Sequence, residues 1–294
     1  MKLFSGPWRR RLLLGGALYL LYALGALAFL TGVAGKRVVA APVFTPYDAA
    51  LAPEGLEQTL STRLGPLARP SRPVPGTARV RLPDLAIRKP YDIHTVGSPA
   101  GGDLRLKFAT MIWNRGRGPL ETRGATNPAT GRLEVYQYLY PQGEGEARRG
   151  PHVGTFDYNH RHGHPHLQTF ARYQLLSLGA DGNPAAVVAE NSKVGFCLMD
   201  ITPVDTERPN AAAAPNYAGC REDVQGISVG YGDEYVAQLR EQDLNISGLP
   251  DGNYALVTVT NPDREIAESG YRNNTSAVMI ALQAGTLVPY PLAP

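Results

Sequence analysis

Residues 104–113 read Leu-Arg-Leu-Lys-Phe-Ala-Thr-Met-Ile-Trp, and their pattern of apolar side chains indicates a β-strand. Leu104, Leu106 and Phe108 recur at every second position, which places them on one face of an extended chain. Met111 and Trp113 continue the alternation on the other phase. A change of phase within a strand is typical of a β-bulge, so this segment predicts a strand with one bulge.

Further β-rich runs follow between turn signals, at residues 133–140, 170–178, 186–198, 254–260 and 276–282. The pairs Asp181-Gly182 and Asp251-Gly252 supply turns. No long helical period competes with these runs. Short strands at this spacing predict an all-β, β-sandwich-like domain, which we assign to residues 82–294.

The N-terminal end of the chain has a different character. Residues 12–35 form a stretch of 24 residues without a charged side chain, which matches the roughly 20 residues needed to cross a bilayer. Arginines at positions 9–11 precede it, so the positive-inside rule predicts a cytoplasmic segment 1–11 and an extracytoplasmic domain. We expect an uncleaved transmembrane signal anchor, although residues 33–35 also fit a signal-peptide cleavage site that would release a secreted domain.

Residues 36–81 contain seven prolines between Pro42 and Pro75 and predict a semi-rigid linker to the β-rich domain. The net charge of +3 does not indicate a nucleic-acid partner. Lys2 and the three arginines of the N-terminal segment carry four positive charges, so the remainder of the chain has a net charge of −1.

Four of the six histidines fall within seven residues, at positions 160, 162, 164 and 166. In an extended chain every second residue shares a face at a spacing of about 6.5 Å, so three or four imidazoles can reach one metal ion. Gly163 and Pro165 argue against a helix, and Pro165 predicts an edge strand or extended loop because it lacks an N–H. Histidine clusters suit copper, zinc, nickel or iron, and three neutral imidazoles with open positions fit a catalytic ion. Spacing alone does not separate copper from zinc. A polar loop, an adventitious metal binder and a structural zinc site are the alternatives.

The surrounding sequence resembles the lysyl oxidase family. Three blocks occur in the family's order and at about its spacing: residues 162–175 (HGHPHLQTFARYQL), 189–200 (AENSKVGFCLMD) and 225–235 (QGISVGYGDEY). The resemblance extends to Leu82-Pro83-Asp84-Leu85 and to the region from Pro250-Asp251-Gly252-Asn253-Tyr254 through Asn273-Asn274, and so covers roughly residues 82–282.

The resemblance implies a copper- and quinone-dependent amine oxidase of the protein-lysine 6-oxidase type. The family binds copper through a His-x-His-x-His triplet, which the run to Phe170 aligns with His162, His164 and His166. His160 then lies outside the ligand set. The alternative alignment would use the residues at positions 160, 162 and 164.

The family also makes an organic cofactor, lysine tyrosylquinone, from a lysine and a tyrosine of its own chain. The resemblance places this cross-link on Lys193 and Tyr235. It implies oxidative deamination of primary amines, with peptidyl lysine as the expected substrate, to an aldehyde. The partners are then a protein or small primary-amine substrate, O₂ and, through the N-terminal helix, a membrane. Hydrogen peroxide and ammonia are the other products.

This chain departs from the family's animal members in two respects. Arg172 stands where they have a histidine shortly after the triplet, so the catalytic base must be sought elsewhere, with Asp157, Asp200 and Glu234 as candidates. The chain also has only two cysteines, at positions 197 and 220, which match family cysteines whose usual partners are missing. We expect these two to form a disulfide with each other in an oxidising compartment.

Two other functions compete with this interpretation. The first is a non-catalytic copper-binding β-sandwich protein of the cell envelope, against which the presence of both Lys193 and Tyr235 argues. The second is a zinc-dependent hydrolase, which would need a glutamate base near the triplet, and the cluster itself contains none.

Overall fold

The apolar alternation of residues 104–113 lies in a strand at the centre of one of two antiparallel sheets. The structure is a computed structural model and describes residues 50–51 and 80–292, except for the side chains at positions 50, 51, 99, 192 and 193. The assignments of a cytoplasmic segment at 1–11, a membrane anchor at 12–35 and most of the linker at 36–81 lie outside the described residues. In the described part of the chain, no helix has the length and apolarity required to cross a membrane.

The described residues form strands and a single-turn 3₁₀ helix at Pro99–Gly101. The strands are β1 (Ala50–Leu51), β2 (Val80–Arg81), β3 (Leu85–Ile87), β4 (Tyr91–Ser98), β5 (Asp103–Asn114), β6 (Leu120–Thr126), β7 (Leu133–Pro141), β8 (Arg148–Asn159), β9 (His164–Leu178), β10 (Pro184–Phe196), β11 (Thr202–Pro203), β12 (Val224–Ile227), β13 (Tyr231–Tyr235), β14 (Asp243–Asn245), β15 (Gly252–Thr260), β16 (Thr275–Gln283) and β17 (Thr286–Val288).

The larger sheet has the strand order β1-β16-β15-β9-β8-β7-β6-β12, with β10 on β9, β17 on β16 and β2 on β7. The smaller sheet has the order β11-β13-β5-β14, with β3 and β4 also paired to β5. The pairs between these strands are antiparallel. The prediction of an all-β domain is therefore confirmed.

One hydrophobic core joins the two sheets. Phe108 and Ile112 of β5 belong to the same buried cluster as Phe170 and Tyr173 of β9. The Phe108 and Tyr173 rings meet edge to face with their centroids 5.0 Å apart, a favoured geometry for aromatic pairs. Two sheets that share one core are the arrangement expected of a sandwich-like domain.

The bulge predicted in residues 104–113 is absent from β5. The pairing of β5 with β13 runs in register from Thr110 to Trp113, and the irregularity of this region lies in β4, between Tyr91 and His94. The apolar side chains change phase because residues 108–112 of β5 are buried on both faces of the strand. A strand covered on both faces carries a continuous apolar run instead of a strict alternation.

Candidate metal centre

The histidine cluster lies in the hairpin that joins β8 to β9. The backbone oxygen of Asn159 accepts hydrogen bonds from the N–H groups of His162, at 3.1 Å, and Gly163, at 2.7 Å. Gly163 has φ = 78°, in the left-handed region that glycine adopts without steric cost. His162 is therefore in a turn, whereas His164 and His166 are in β9, so the predicted single extended strand for all three histidines is wrong.

The turn nevertheless brings the three rings together. The ligand nitrogens of His162, His164 and His166 lie within 4.8 Å of one another. His162 Nδ1 is 3.2 Å from His166 Nε2, and the ring of His166 is 4.9 Å from each of the other two rings, centroid to centroid. His160 is exposed and packs against Tyr158, outside this group.

The residues fit a metal ion that binds imidazole. His166 is 1% exposed, and His162 Nε2 is buried without a hydrogen-bond partner. Burial, with the neighbouring rings of His164 and His162, lowers the pKa of His166 to about 3. The pKa of His164 is also lowered, first by burial and then by His162. These shifts favour the neutral imidazole, which is the form that coordinates metals.

The strand is not an edge strand, contrary to the expectation from Pro165. β9 pairs with β10 along one side, and on the other side it pairs with β8 near its start and with β15 further along. Pro165 is tolerated because it lies near the start of β9. There it pairs with Tyr158 of β8, whereas the pairing with β10 extends only to Leu167 and does not reach Pro165. A strand end can accommodate a residue that lacks an N–H donor.

Tyr235, at the end of β13, lies beside the histidine group although it belongs to the other sheet. Its ring centroid is 6.4 Å from that of His166 and 3.9 Å from that of Phe196, with the latter two planes inclined by 34°. The phenolic oxygen accepts a hydrogen bond of 2.7 Å from the backbone N–H of Cys197. Tyr235 is buried, and burial followed by the charge of Asp233 raises its pKa well above the ordinary tyrosine value.

The backbone of Lys193 lies in β10, the strand that pairs with β9. It falls in a register irregularity between the pairs Asn191–Tyr173 and Val194–Ala171. The Lys193 side chain is outside the described residues, so its pairing with Tyr235 stays a prediction. β10 ends at Phe196, the residue whose ring stacks on Tyr235.

The predicted disulfide between Cys197 and Cys220 is confirmed, with the two Cα atoms 5.4 Å apart. It lies next to the histidine group, because both sulfurs are within 4.8 Å of a ring nitrogen of His164. Cys197 is buried and Cys220 is partly exposed. The bond thus ties the end of β10 to the loop that precedes β12.

The three carboxylates proposed as bases are poorly suited to that role. Asp157 pairs with His166 across the β8–β9 ladder but is exposed. Glu234 accepts hydrogen bonds from the hydroxyls of Tyr91 and Thr202. The remaining candidate, Asp200, is engaged by four donors, namely the N–H and hydroxyl of Ser228 and the N–H groups of Asn216 and Tyr217.

Asp233 is the carboxylate that the sequence interpretation missed. It is fully buried and forms no hydrogen bond of ordinary geometry, and the backbone N–H of Met199 is the group that opposes the rise of its pKa. Burial, followed by the charge of Asp200, raises its pKa well above the ordinary aspartate value. Asp233 and Tyr235 are two residues apart on β13, so they share one face of the strand. Because side chains two residues apart on a strand share a face, the position two residues before Tyr235 would have indicated Asp233 from the sequence.

Arg172, which stands at the position of the family's histidine, forms ion pairs. Its Nη2 is 3.2 Å from Asp263 and its Nε is 3.6 Å from Glu190. Both partners are acidic, and the guanidinium stays protonated at any physiological pH. Arg172 therefore cannot replace a histidine as a base.

The all-β fold and the three-histidine group define a β-domain with a candidate metal centre, and comparisons with known proteins identify its family. The lysyl oxidase family model matches residues 132–288, more than half of the chain. The chain belongs to the lysyl oxidase family.

Similar proteins include lysyl oxidase homolog 2 of Bos taurus, with 32% identity over 154 residues, which covers 51% of this chain and 18% of the relative. Lysyl oxidase homolog 2 of Homo sapiens is also 32% identical over 154 residues, which again cover 51% of this chain and 18% of the relative. Lysyl oxidase homolog 4 of Homo sapiens is 30% identical over 177 residues, or 60% of this chain and 18% of the relative. The matches thus span less than a fifth of the length of these relatives.

Proposed function

We propose that this protein is a copper-dependent amine oxidase that uses lysine tyrosylquinone. The observation that carries the proposal is the 6.4 Å separation of the His166 and Tyr235 rings. These residues lie in different sheets and are far apart in the sequence. Their proximity therefore joins the proposed copper ligands to the tyrosine that would become the quinone.

The net reaction converts a primary amine, O₂ and water into an aldehyde, ammonia and hydrogen peroxide. His162, His164 and His166 would hold the copper ion. Copper would supply the electron transfer with O₂, and the quinone made from Lys193 and Tyr235 would supply the carbonyl group that takes up the substrate amine.

The residues around Tyr235 hold its ring and its oxygen in place. Phe196 stacks on the ring and limits its rotation. The Cys197 N–H donates to the phenolic oxygen, and such a bond becomes stronger when that oxygen carries negative charge. This donor opposes the effect of burial, which disfavours the charged phenolate.

We assign the proton-accepting role to Asp233 in place of the three carboxylates considered from the sequence. Its burial and its raised pKa are properties of a group that can take up a proton more readily than an exposed aspartate. Asp233 shares a strand face with Tyr235, and its charge acts on the pKa of that tyrosine.

The substrate we propose is peptidyl lysine, with small primary amines as the other class. The domain would act outside the cytoplasm, tethered by residues 12–35, or secreted if that segment is cleaved. The Cys197–Cys220 disulfide supports an oxidising compartment, because such bonds are rare in the cytosol.

The test is expression of the full chain with copper, followed by measurement of quinone absorbance, redox staining and peroxide release from lysine-containing peptides. Lys193→Met and Tyr235→Phe should bind copper and lose all amine turnover. Tyr173→Phe, which removes a buried hydroxyl bonded to Thr110 and Gln242, is the matched control and should keep its activity. Full activity in either cofactor variant would refute the cofactor assignment. Copper binding by the unaltered protein without quinone or turnover would instead favour the non-catalytic copper-binding protein.

A further inference from the structure

A cluster of sulfur atoms adjoins the proposed copper ligands and is not used by the proposed reaction. A ring nitrogen of His164 and the sulfurs of Cys197 and Cys220 lie within 4.8 Å of one another. The Sδ atom of Met199 is 3.3 Å from Cys220 Sγ. Because both cysteine sulfurs are in a disulfide, they carry no proton and cannot bind a metal as thiolates in this state.

We propose that reduction of this disulfide creates a second metal site, for monovalent copper, from Cys197, Cys220 and His164, with Met199 as a further sulfur ligand. Thiolate and thioether sulfur are soft ligands and select Cu(I), whereas the three imidazoles of the other site also suit Cu(II). The site goes beyond the proposed amine oxidation and does not depend on quinone formation.

The reductive step requires an external dithiol or phosphine. The reductant gives two electrons to the S–S bond, which breaks, and two protons are taken up to form two thiols. Both protons leave again when the sulfurs bind Cu(I) as thiolates. Cys220 is partly exposed, so the reductant can attack its sulfur, whereas Cys197 is 2% exposed.

His164 belongs to both ligand sets, so the two sites compete for one imidazole. An ion held by the reduced sulfurs and His164 removes one of the three histidines from the other site. Re-formation of the disulfide, with O₂ or an external disulfide taking the two electrons, removes both thiolates, releases the Cu(I) ion and leaves His164 with His162 and His166. The redox state of one bond thus selects between a sulfur-rich site and an all-imidazole site.

The experiment uses the full chain with His162→Ala as background. This substitution breaks the three-histidine set but leaves every proposed ligand of the sulfur site. Cu(I) affinity is measured without oxygen, by competition with bicinchoninic acid, before and after treatment with tris(2-carboxyethyl)phosphine. Failure of the amine-oxidase proposal leaves this measurement unaffected, because no turnover is scored.

Reduction should tighten Cu(I) binding at least about tenfold, because two soft thiolates become available. Adding Cys220→Ser should abolish that gain. Adding His164→Ala, which keeps both cysteines, should reduce the gain, and copper X-ray absorption should show loss of the nitrogen ligand with retention of sulfur.

Three results would overturn the proposal. The first is unchanged Cu(I) affinity on reduction, and the second is a gain that survives Cys220→Ser. The third is the same set of sulfur and nitrogen ligands with and without His164. Circular dichroism of the reduced protein accompanies each measurement, and loss of the β-sheet signal on reduction would also count against the site, which requires the folded position of His164.

Discussion

The backbone N–H of Cys197 donates a hydrogen bond of 2.7 Å to the phenolic oxygen of Tyr235. Cys197 is also bonded to Cys220, so the disulfide and the proposed cofactor tyrosine are joined through one residue. This bond crosses from the end of β10 to β13, that is, from one sheet to the other.

Tyr235→Phe should lower the free energy of unfolding by about 1–3 kcal/mol, because the buried Cys197 N–H loses its acceptor. Urea unfolding of metal-free protein measures the effect without any contribution from copper. Tyr254→Phe, which removes a hydroxyl that donates to the backbone oxygen of Pro250, is the control for loss of a tyrosine hydroxyl elsewhere. Equal stability of Tyr235→Phe and the unaltered protein would show that the bond contributes nothing.

Alanine at position 162, 164 or 166 should weaken copper binding by more than about tenfold, since even residues that only support metal ligands commonly contribute that much. His160→Ala should bind copper as the unaltered protein does, because His160 packs on Tyr158 outside the group. Chelator competition gives the affinities. If His160→Ala and His162→Ala bind copper equally poorly, the alternative alignment of the triplet gains support.

Replacing both cysteines by alanine should lower the free energy of unfolding by about 3 kcal/mol, from the loop entropy of a bond that spans 23 residues. Denaturant unfolding of the double variant, beside the oxidised parent protein, checks this value. A loss well below 1 kcal/mol would mean that the surrounding hydrogen bonds already hold the loop.

Glu268 provides a pH-dependent contribution to stability. It is buried and accepts hydrogen bonds from Leu85 N, Asn261 Nδ2 and Asn274 Nδ2. Burial raises its pKa to about 8, although these three donors act in the opposite direction. The folded protein therefore holds a proton that the unfolded chain releases near its ordinary glutamate pKa, and stability falls as the pH rises from about 5 to about 8.

Glu268→Gln should remove this part of the pH dependence, which amounts to at most about 1.4 kcal/mol per pH unit. Urea unfolding at pH 5 and pH 8 compares the two proteins. Glu265→Gln, in the same loop, is a control whose slope should match that of the parent. If Glu268→Gln retains the parent slope, another group is responsible.

The strands that could be predicted from the sequence are those with strong apolar patterns, such as β16, which is buried along nearly its whole length, and β15, which is buried over most of it. β4 and β8 escaped prediction for a physical reason. Both are largely exposed or half-buried, so they carry polar side chains, glycine and proline that resemble a loop in composition. Their conformation depends on the ladders formed with β5 and β9.

The site could be predicted in part. Spacing indicated that three or four of the clustered histidines would come together, and the family resemblance selected His162, His164 and His166. Neither indicated that a turn would supply one of them. Asp233 was missed because an aspartate beside glycine and glutamate looks like part of a polar turn. Only the tertiary structure shows that β13, together with this carboxylate, is buried between its neighbours.

The hairpin of β8 and β9 contains all three clustered histidines within five consecutive residues. Its turn is held by Asn159 and Gly163, both of which belong to the hairpin itself. The proposed copper ligands thus come from one short stretch of sequence, whereas Tyr235 belongs to the opposite sheet. Grafting the hairpin alone onto another scaffold would carry over all three proposed ligands, whereas bringing a tyrosine beside them would require both sheets.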